Sequence, residues 1–252
     1  MKNIKLTVEY DGTNYCGWQI QDTVKTIQGE LTEAIYKLTG SRCEITGCSR
    51  TDKGVHAFSH ISNFITDSPV PPDKFYLALN KYLPQDIIVK NSCEAEKDFN
   101  ARFSCSGKKY IYRIHNNNVR SALLKDKTWY QKKELDVEEM SKAAAFFKGE
   151  FDFKTFSAVG GTASTTVREI FDSKVYWQES SYGGRDIFYE VIGSGFLYNM
   201  VRIITGTLAD VGKKRFKPED IKDMISSKDR STAGITAPPQ GLYLKEVYYG
   251  KI

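Results

Sequence analysis

Two hydrophobic periods follow one another in the first forty residues, and this change of period constrains the fold more than any other feature. Residues 4–10 alternate apolar and polar side chains, which predicts a β-strand. Residues 27–38 have apolar side chains at helical spacing, with Thr26 suited to the N-cap and Gly40 lying just beyond the end. The chain therefore mixes strands and helices from its beginning.

The second half of the chain shows strands and helices as well. Asp136 and Glu139 have the spacing of a capping box before an apolar stripe, which predicts a helix. Residues 170–177 and 187–192 predict two strands joined by a Ser/Gly-rich connection, as in a hairpin. Hairpin connections exclude a purely parallel sheet, so the predicted class is α+β.

The asparagine-rich segment after His115 is typical of a linker and divides the chain. We predict an N-terminal half at 1–115, a connection at 116–134 and a C-terminal half at 135–252.

Composition limits the setting of the protein. The 252 residues include 36 lysines and arginines against 31 acidic residues, a net charge of +5 that permits a polyanionic partner without demanding one. Five cysteines without a C-x-x-C pair argue against a disulfide framework or zinc site. No apolar run approaches the roughly 20 residues of a membrane span, and the N-terminus lacks a signal-peptide pattern. A cytoplasmic protein without membrane association is expected.

The polar segment from Gly47 to Ala57 lies between two apolar alternating runs, and Asp52 is at its centre. Arg50 would lower the pKa of Asp52 and keep it ionised, so that it could serve as nucleophile or base. The alternative is a solvated turn pair. His56 and His60 lie four residues apart, but no further ligands follow at suitable intervals, so we predict no metal and assign His56 to hydrogen bonding in the loop.

Aromatic side chains occur in two segments where they allow two interpretations. Tyr110 and Tyr112 alternate in a predicted strand near Arg102 and Arg113, a mixture suited to stacking on nucleic-acid bases, although tyrosines in sheets are also common packing residues. The loop 15–19 carries a tyrosine and a tryptophan that either pack or contact substrate.

Arg202 lies in an apolar segment, 195–206, that predicts a largely buried helix beginning there. A buried arginine needs a partner, so a carboxylate is expected nearby. We hypothesise that Arg202 pairs with Asp52; pairing with another acid is the alternative.

Residues 49–57, Ser-Arg-Thr-Asp-Lys-Gly-Val-His-Ala, resemble the G-R-T-D-x-G-V-H-A motif of the tRNA pseudouridine synthase A family, with Ser49 in place of the usual glycine. The resemblance continues in Y-x-G-W-Q at 15–19, in the F-x-A-R and Y-x-Y blocks, in N-M-V-R ending at Arg202 and in A-P-x-x-G-L-x-L near the end. Tyr198 stands where that family usually has an arginine.

The resemblance implies two ferredoxin-like (RNA-recognition-motif-like) halves that share a mainly antiparallel sheet with a central catalytic cleft, and a homodimer that binds the tRNA anticodon stem-loop. It implies isomerisation of uridine to pseudouridine at positions 38, 39 and 40 of tRNA. Asp52, Arg50 and Arg202 would be catalytic, and the predicted substrate-binding residues are Tyr110, Thr51, His56 and Arg102. No group is oxidised or imported, so no cofactor is expected.

Two other functions remain as alternatives. A non-catalytic RNA-binding protein would keep the basic surface without turnover. A hydrolytic glycosidase fits poorly, because hydrolysis normally recruits a second carboxylate and none lies near Asp52 in the sequence.

Overall fold

The computed structural model describes residues 1–251, and these residues form two units. The first contains residues 1–106 and the chain from Tyr243 onward, and the second contains Gly107–Leu242. The last strand therefore belongs to the unit built mainly from N-terminal residues, whereas the sequence prediction placed it in the half at 135–252.

Both units combine strands and helices. Within residues 1–251 the strands are β1 (Lys2–Tyr10), β2 (Thr46–Gly47), β3 (His56–Thr66), β4 (Ile87–Ala95), β5 (Gly107–Asn116), β6 (Trp129–Gln131), β7 (Gly149–Asp152), β8 (Val167–Glu179), β9 (Arg185–Gly193) and β10 (Leu242–Tyr248). The α-helices are α1 (Ile27–Thr39), α2 (Phe75–Leu79), α3 (Val137–Ala145), α4 (Met200–Gly212) and α5 (Asp220–Ser227). The strand pairing within each unit is mostly antiparallel, which confirms the α+β class.

Strand β3 is the centre of the sheet in the first unit. It pairs antiparallel with β1 along one edge, and β1 pairs antiparallel with β4 on its far side. The other edge of β3 is shared, because β10 pairs in parallel opposite His56 and Ala57 while β2 pairs antiparallel opposite Ser62 and Asn63. The connection from β2 into β3 is thus held close to this sheet at its start and at its end.

Helix α1 forms as its sequence predicts. The Thr26 side chain accepts a hydrogen bond from the backbone N–H of Gly29, and Gly40 takes the left-handed conformation at the C-cap with φ 74°. The apolar stripe is buried, with Leu31 and Ile35 fully inaccessible. Capping and burial of one face together explain why this segment is helical.

The sheet of the second unit runs in the order β6, β5, β9, β8, β7. Strand β6 pairs in parallel with β5, and the other pairs are antiparallel. Strands β8 and β9 form the hairpin that the sequence predicts. Tyr112 and Tyr189 lie opposite each other on β5 and β9 and are fully buried, so these tyrosines are core residues.

Two predicted element boundaries are wrong. The helix predicted from Gly195 begins at Met200, because Asn199 takes the left-handed conformation with φ 59° and interrupts a continuous helix. The first of the two apolar alternating runs that flank the Gly47–Ala57 segment forms only the two-residue strand β2. Arg202 consequently lies in the first turn of α4 rather than in its middle.

No helix formed by residues 1–251 has both the length and the apolarity needed to cross a membrane.

Candidate active site

The connection between β2 and β3, residues 48–55, carries the polar motif and is attached to the first unit at several points. At its start, the backbone N–H of Cys48 donates to the carbonyl of Ile61 at 2.8 Å. Near its end, the N–H of Val55 donates to the carbonyl of Asp52 at 3.1 Å, which closes a tight turn with Gly54 at φ +77°. The motif is therefore a constrained turn rather than an extended surface loop.

Thr51 faces inward and fixes the middle of this connection. Its hydroxyl forms a buried hydrogen bond with the hydroxyl of Tyr10 at 2.8 Å, and its carbonyl accepts from the backbone N–H of Trp18 at 3.0 Å. Thr51 is buried, whereas Arg50 is exposed and Asp52 is half-buried. Thr51 thus anchors the middle of the connection, while Arg50 and Asp52 on either side of it keep solvent-accessible surface.

The 15–19 loop packs against the motif. Gly17 has φ +88°, and a Cβ atom there would lie 2.4 Å from the carbonyl oxygen of Thr51. A Cβ on Gly47 would likewise lie 2.6 Å from the indole ring of Trp18. Tyr15 and Trp18 are buried, so the packing interpretation of these aromatics is confirmed.

His56 supports the other end of the motif. Its Nδ1 atom lies 3.1 Å from the backbone N–H of Gly12 and 3.0 Å from Oδ1 of Asp11, and its ring stacks on Tyr243 at 4.6 Å. His56 is only 2 % exposed, whereas the Asp11 side chain is 37 % exposed. This burial is consistent with the hydrogen-bonding role predicted for His56.

A neighbouring tyrosine hydroxyl, that of Tyr15, donates to Oδ1 of Asp86 at 2.5 Å. Burial, followed by this hydrogen bond and the charge of Asp86, raises the pKa of Tyr15 well above its ordinary value. Tyr15 therefore stays protonated and acts as a donor near the 48–55 connection.

Arg102 lies elsewhere in the first unit, in the turns that follow β4, and its side chain is exposed. The preceding residue, Ala101, is fully buried and its N–H donates to Oδ1 of Asn63 at 2.8 Å. The guanidinium of Arg102 lies 5.4 Å from the ring centroid of Phe103. The structure thus presents Arg102 on an anchored turn.

Tyr110 and Arg202 belong to the second unit. Tyr110 is on β5 opposite Val191 of β9, is 6 % exposed, and contacts Phe196 edge to face at 5.1 Å between ring centroids. The Tyr110 ring thus combines a packing contact with a position in the first half of β5.

Arg202 is held by neutral oxygen atoms of its own unit. Its Nε donates to the carbonyl of Ala237 at 2.7 Å and its Nη1 to Oδ1 of Asn199 at 2.6 Å. The N–H of Ala237 returns a hydrogen bond to the carbonyl of Arg202 at 3.1 Å. The left-handed turn at Asn199 therefore has a function in placing Arg202, which the predicted continuous helix did not include.

Among residues 1–251, no group of three or more His, Cys, Asp or Glu side chains has an arrangement suited to a metal ion.

Comparison with known proteins decides the family. Residues 6–104 and 143–250 match the family described as tRNA pseudouridine synthase. The chain belongs to the tRNA pseudouridine synthase family.

Curated relatives named after the same activity match this chain over their full length. The protein named tRNA pseudouridine synthase A from Ruminiclostridium cellulolyticum is 51% identical over 249 residues, covering 99% of this chain and 100% of that protein. The protein of the same name from Acetivibrio thermocellus is 47% identical with the same coverage. Tyr110 lies between the two segments that match the tRNA pseudouridine synthase family, whereas Asp52 and Arg202 lie within them.

The structure of this tRNA pseudouridine synthase family member also reveals supporting residues that the sequence did not identify as such. These residues are buried and contact the motif. They are Tyr10, Trp18 and His60. Apolar alternation in β1 and β3 predicts that Tyr10 and His60 lie in strands, but no local pattern predicts their contacts with residues 49–51.

Proposed function

We propose that this protein converts uridine to pseudouridine at positions 38, 39 and 40 of the tRNA anticodon stem-loop, with Asp52 as its single catalytic carboxylate. Isomerisation of uridine to pseudouridine in tRNA is the activity of the family to which the chain belongs. The observation that carries the finer proposal is the presentation of a half-buried Asp52 beside an exposed Arg50, on a turn whose backbone is fixed on both sides.

The reaction requires little beyond one carboxylate and a shaped site. The glycosidic bond from N1 of uracil to C1′ of ribose breaks, the uracil rotates, and C5 bonds to the same C1′. The hydrogen on C5 is then released as a proton and N1 takes up a proton, so atoms balance without an imported group. Asp52 would act by attack on the sugar or base, or by removing a ribose proton.

The remaining residues have supporting roles in this proposal. Arg202 would pair with Asp52 and keep it ionised, and Arg50 would fill the space left by the everted nucleotide. Tyr110 would stack on the uracil, recovering about 1–3 kcal/mol per base against a few kcal/mol for unstacking. Thr51 and His56 would hold the motif in place, and Arg102 would contact the RNA backbone.

The larger setting is part of the same proposal. We propose two ferredoxin-like halves around a central cleft, a homodimer that binds one tRNA across both subunits, and a cytoplasmic location, where tRNA takes part in translation. The full-length similarity to proteins named tRNA pseudouridine synthase A supports a common architecture.

Asp52→Asn should abolish turnover and leave tRNA affinity nearly unchanged, because the amide keeps the size of the carboxylate and removes its charge and basicity. The measurement is release of tritium from C5-labelled uridine in unmodified tRNA, together with filter binding. Lys53→Ala is the matched control, since Lys53 is an exposed residue in the same turn and its removal should preserve turnover.

Position specificity is tested with anticodon stem-loop transcripts that retain uridine only at position 38, 39 or 40. Release from each transcript, and none when all three positions carry cytidine, is expected. Binding of tRNA by the parent protein without any release would contradict the proposal and favour a non-catalytic RNA-binding protein. Turnover by Asp52→Asn would remove Asp52 from the mechanism.

A further inference from the structure

His60 is a buried polar side chain in the middle of β3, opposite Val8 of β1. It has no exposed surface, and its ring stacks on the indole of Trp18 with centroids 3.6 Å apart and planes 19° apart. A hydrophobic residue would fill such a position without the cost of burying ring nitrogens. The presence of histidine therefore indicates a specific hydrogen-bonding task.

The hydrogen bond of His60 is made to the 49–57 motif. The Nε2 atom of His60 lies 3.0 Å from the carbonyl oxygen of Ser49, three residues before Asp52. A carbonyl oxygen only accepts hydrogen bonds, so Nε2 carries the proton and donates. His60 thus fixes the direction of the peptide bond that leads into Arg50.

Trp18 fixes the carbonyl of Thr51, two residues after Ser49. Its backbone N–H donates to the carbonyl of Thr51 at 3.0 Å, and its own carbonyl accepts from the N–H of Gln28 at 2.9 Å. Gln28 lies in the first turn of α1, whose N–H groups have no partner within the helix. The start of α1 is therefore connected through Trp18 to the peptide bond just before Asp52.

We propose that His60 and Trp18 form a positioning pair that holds the backbone of residues 49–52 so that Asp52 points in its reactive direction. The two residues stack on each other and anchor carbonyls on either side of Arg50. This inference rests on the proposed catalytic role of Asp52. Displacement of a reacting group by about 1 Å costs on the order of a hundredfold in rate, so a rigid backbone at this point has kinetic value.

The test separates the hydrogen bond from the aromatic stack. His60→Phe keeps a ring beside Trp18 and removes the donor, whereas His60→Gln places an amide N–H near the position of Nε2 without a ring. We expect His60→Phe to lower kcat by roughly tenfold or more while KM and filter-binding affinity for tRNA stay near those of the parent. His60→Gln should recover most of the lost kcat.

A purely structural role of His60 predicts a different pattern. In that case both variants would lower the thermal unfolding midpoint and would change kcat only through loss of folded protein, with no recovery in His60→Gln. If His60→Phe does not fold, His60→Met, which is flexible and also lacks a donor, replaces it. Parental kcat in a folded variant without the donor would overturn the inference.

The same assay distinguishes failure of the inference from failure of the proposed function. An inactive parent, or an active Asp52→Asn, would remove the catalytic assignment on which the inference rests. An active parent, an inactive Asp52→Asn and a fully active His60→Phe would contradict the positioning role alone.

Discussion

At the residue scale, single atoms decide whether the turn that carries Asp52 can form. Gly17 and Gly54 both have positive φ, and Gly17 also lies against the backbone of Thr51, with which any Cβ atom would collide. Tyr10, through its hydroxyl, holds the Thr51 side chain inward. Loss of any of these contacts would change the position of Asp52 although none of them involves Asp52 itself.

Gly17→Ala should lower both turnover and stability, because the new Cβ would lie 2.4 Å from the carbonyl oxygen of Thr51 and neither backbone can move freely. Gly40→Ala is the matched control, since Gly40 has a similar φ of +74° with no atom within 4 Å of its Cβ position. The control should cost only about 1–2 kcal/mol of backbone strain and keep turnover. Urea unfolding and tritium release measure the two effects; equal behaviour of the variants would show that the contact with Thr51 is unimportant.

At the element scale, the sequence of helix α4 reflects the close packing of the segment 235–237 against it. Twelve of its thirteen residues are buried, and Arg202 is the exception. Gly206 occupies the middle of the helix, where the carbonyl of Ile235 approaches to 1.8 Å from the position of a Cβ. Glycine lowers the intrinsic helix propensity at this position but allows the segment with Ile235 to pack closely. That segment continues to Ala237, whose carbonyl accepts a hydrogen bond from Arg202.

Gly206→Ala should destabilise the second unit by about 1–3 kcal/mol or more through overpacking, although alanine favours an isolated helix by about 1 kcal/mol. Gly212→Ala is the comparison on the same helix, because its Cβ would meet mainly the flexible side chain of Met140. We expect a smaller loss there, measured by urea unfolding. A gain of stability in Gly206→Ala would mean that the 235–237 segment moves away easily.

At the scale of the whole molecule, the chain returns to its first unit only in its last strand. Strand β10 pairs with β3, and the ring of Tyr243 stacks on those of His56 and Phe58, with centroid distances of 4.6 and 4.9 Å. The hydroxyl of Tyr249 donates to the carbonyl of Ala101, next to Arg102. The C-terminal segment from Tyr243 to Tyr249 thus supports two residues of the proposed site that lie far from it in sequence.

Deletion from Tyr243 onward should unfold or aggregate the first unit, because it exposes the edge of β3 and removes the ring stacked on His56. Deletion from Gly250 onward, which leaves β10 intact, is the control and should preserve turnover. Circular dichroism and size-exclusion chromatography measure the outcome. A folded, active protein without β10 would contradict the supporting role of this strand.

The stability of the molecule should also fall in alkali. Burial raises the pKa of Tyr189 and of Tyr249 above the ordinary tyrosine value, and burial with Asp86 does so for Tyr15. In the unfolded chain these tyrosines ionise near pH 10, whereas in the folded protein they stay protonated. Their contribution to the free energy of unfolding is therefore complete below about pH 10 and is lost as the pH rises further.

Urea unfolding between pH 8 and pH 11, followed together with tyrosinate absorbance, measures this loss. In the Tyr189→Phe variant, the free energy of unfolding should fall less steeply as the pH rises. An unchanged urea midpoint up to pH 11 would contradict the prediction.

The sequence by itself determined the features that depend on neighbours along the chain. Alternation and capping predicted β1, α1, α3 and the β8–β9 hairpin, because strand and helix periods and N-cap residues act over a few positions. The motif around Asp52 was recognisable for the same reason, since its residues are contiguous. Membership of the tRNA pseudouridine synthase family followed from that motif and agrees with the comparisons.

Only the tertiary structure decided what distant residues do to that motif. His60 and Trp18 are separated by more than forty positions, yet their rings stack, and Tyr243 reaches His56 from the far end of the chain. The late start of α4 depends on the left-handed Asn199 and its contact with Arg202. Periodicity carries no information about such pairs, because the packing free energy that selects them arises only once the strands and helices have come together.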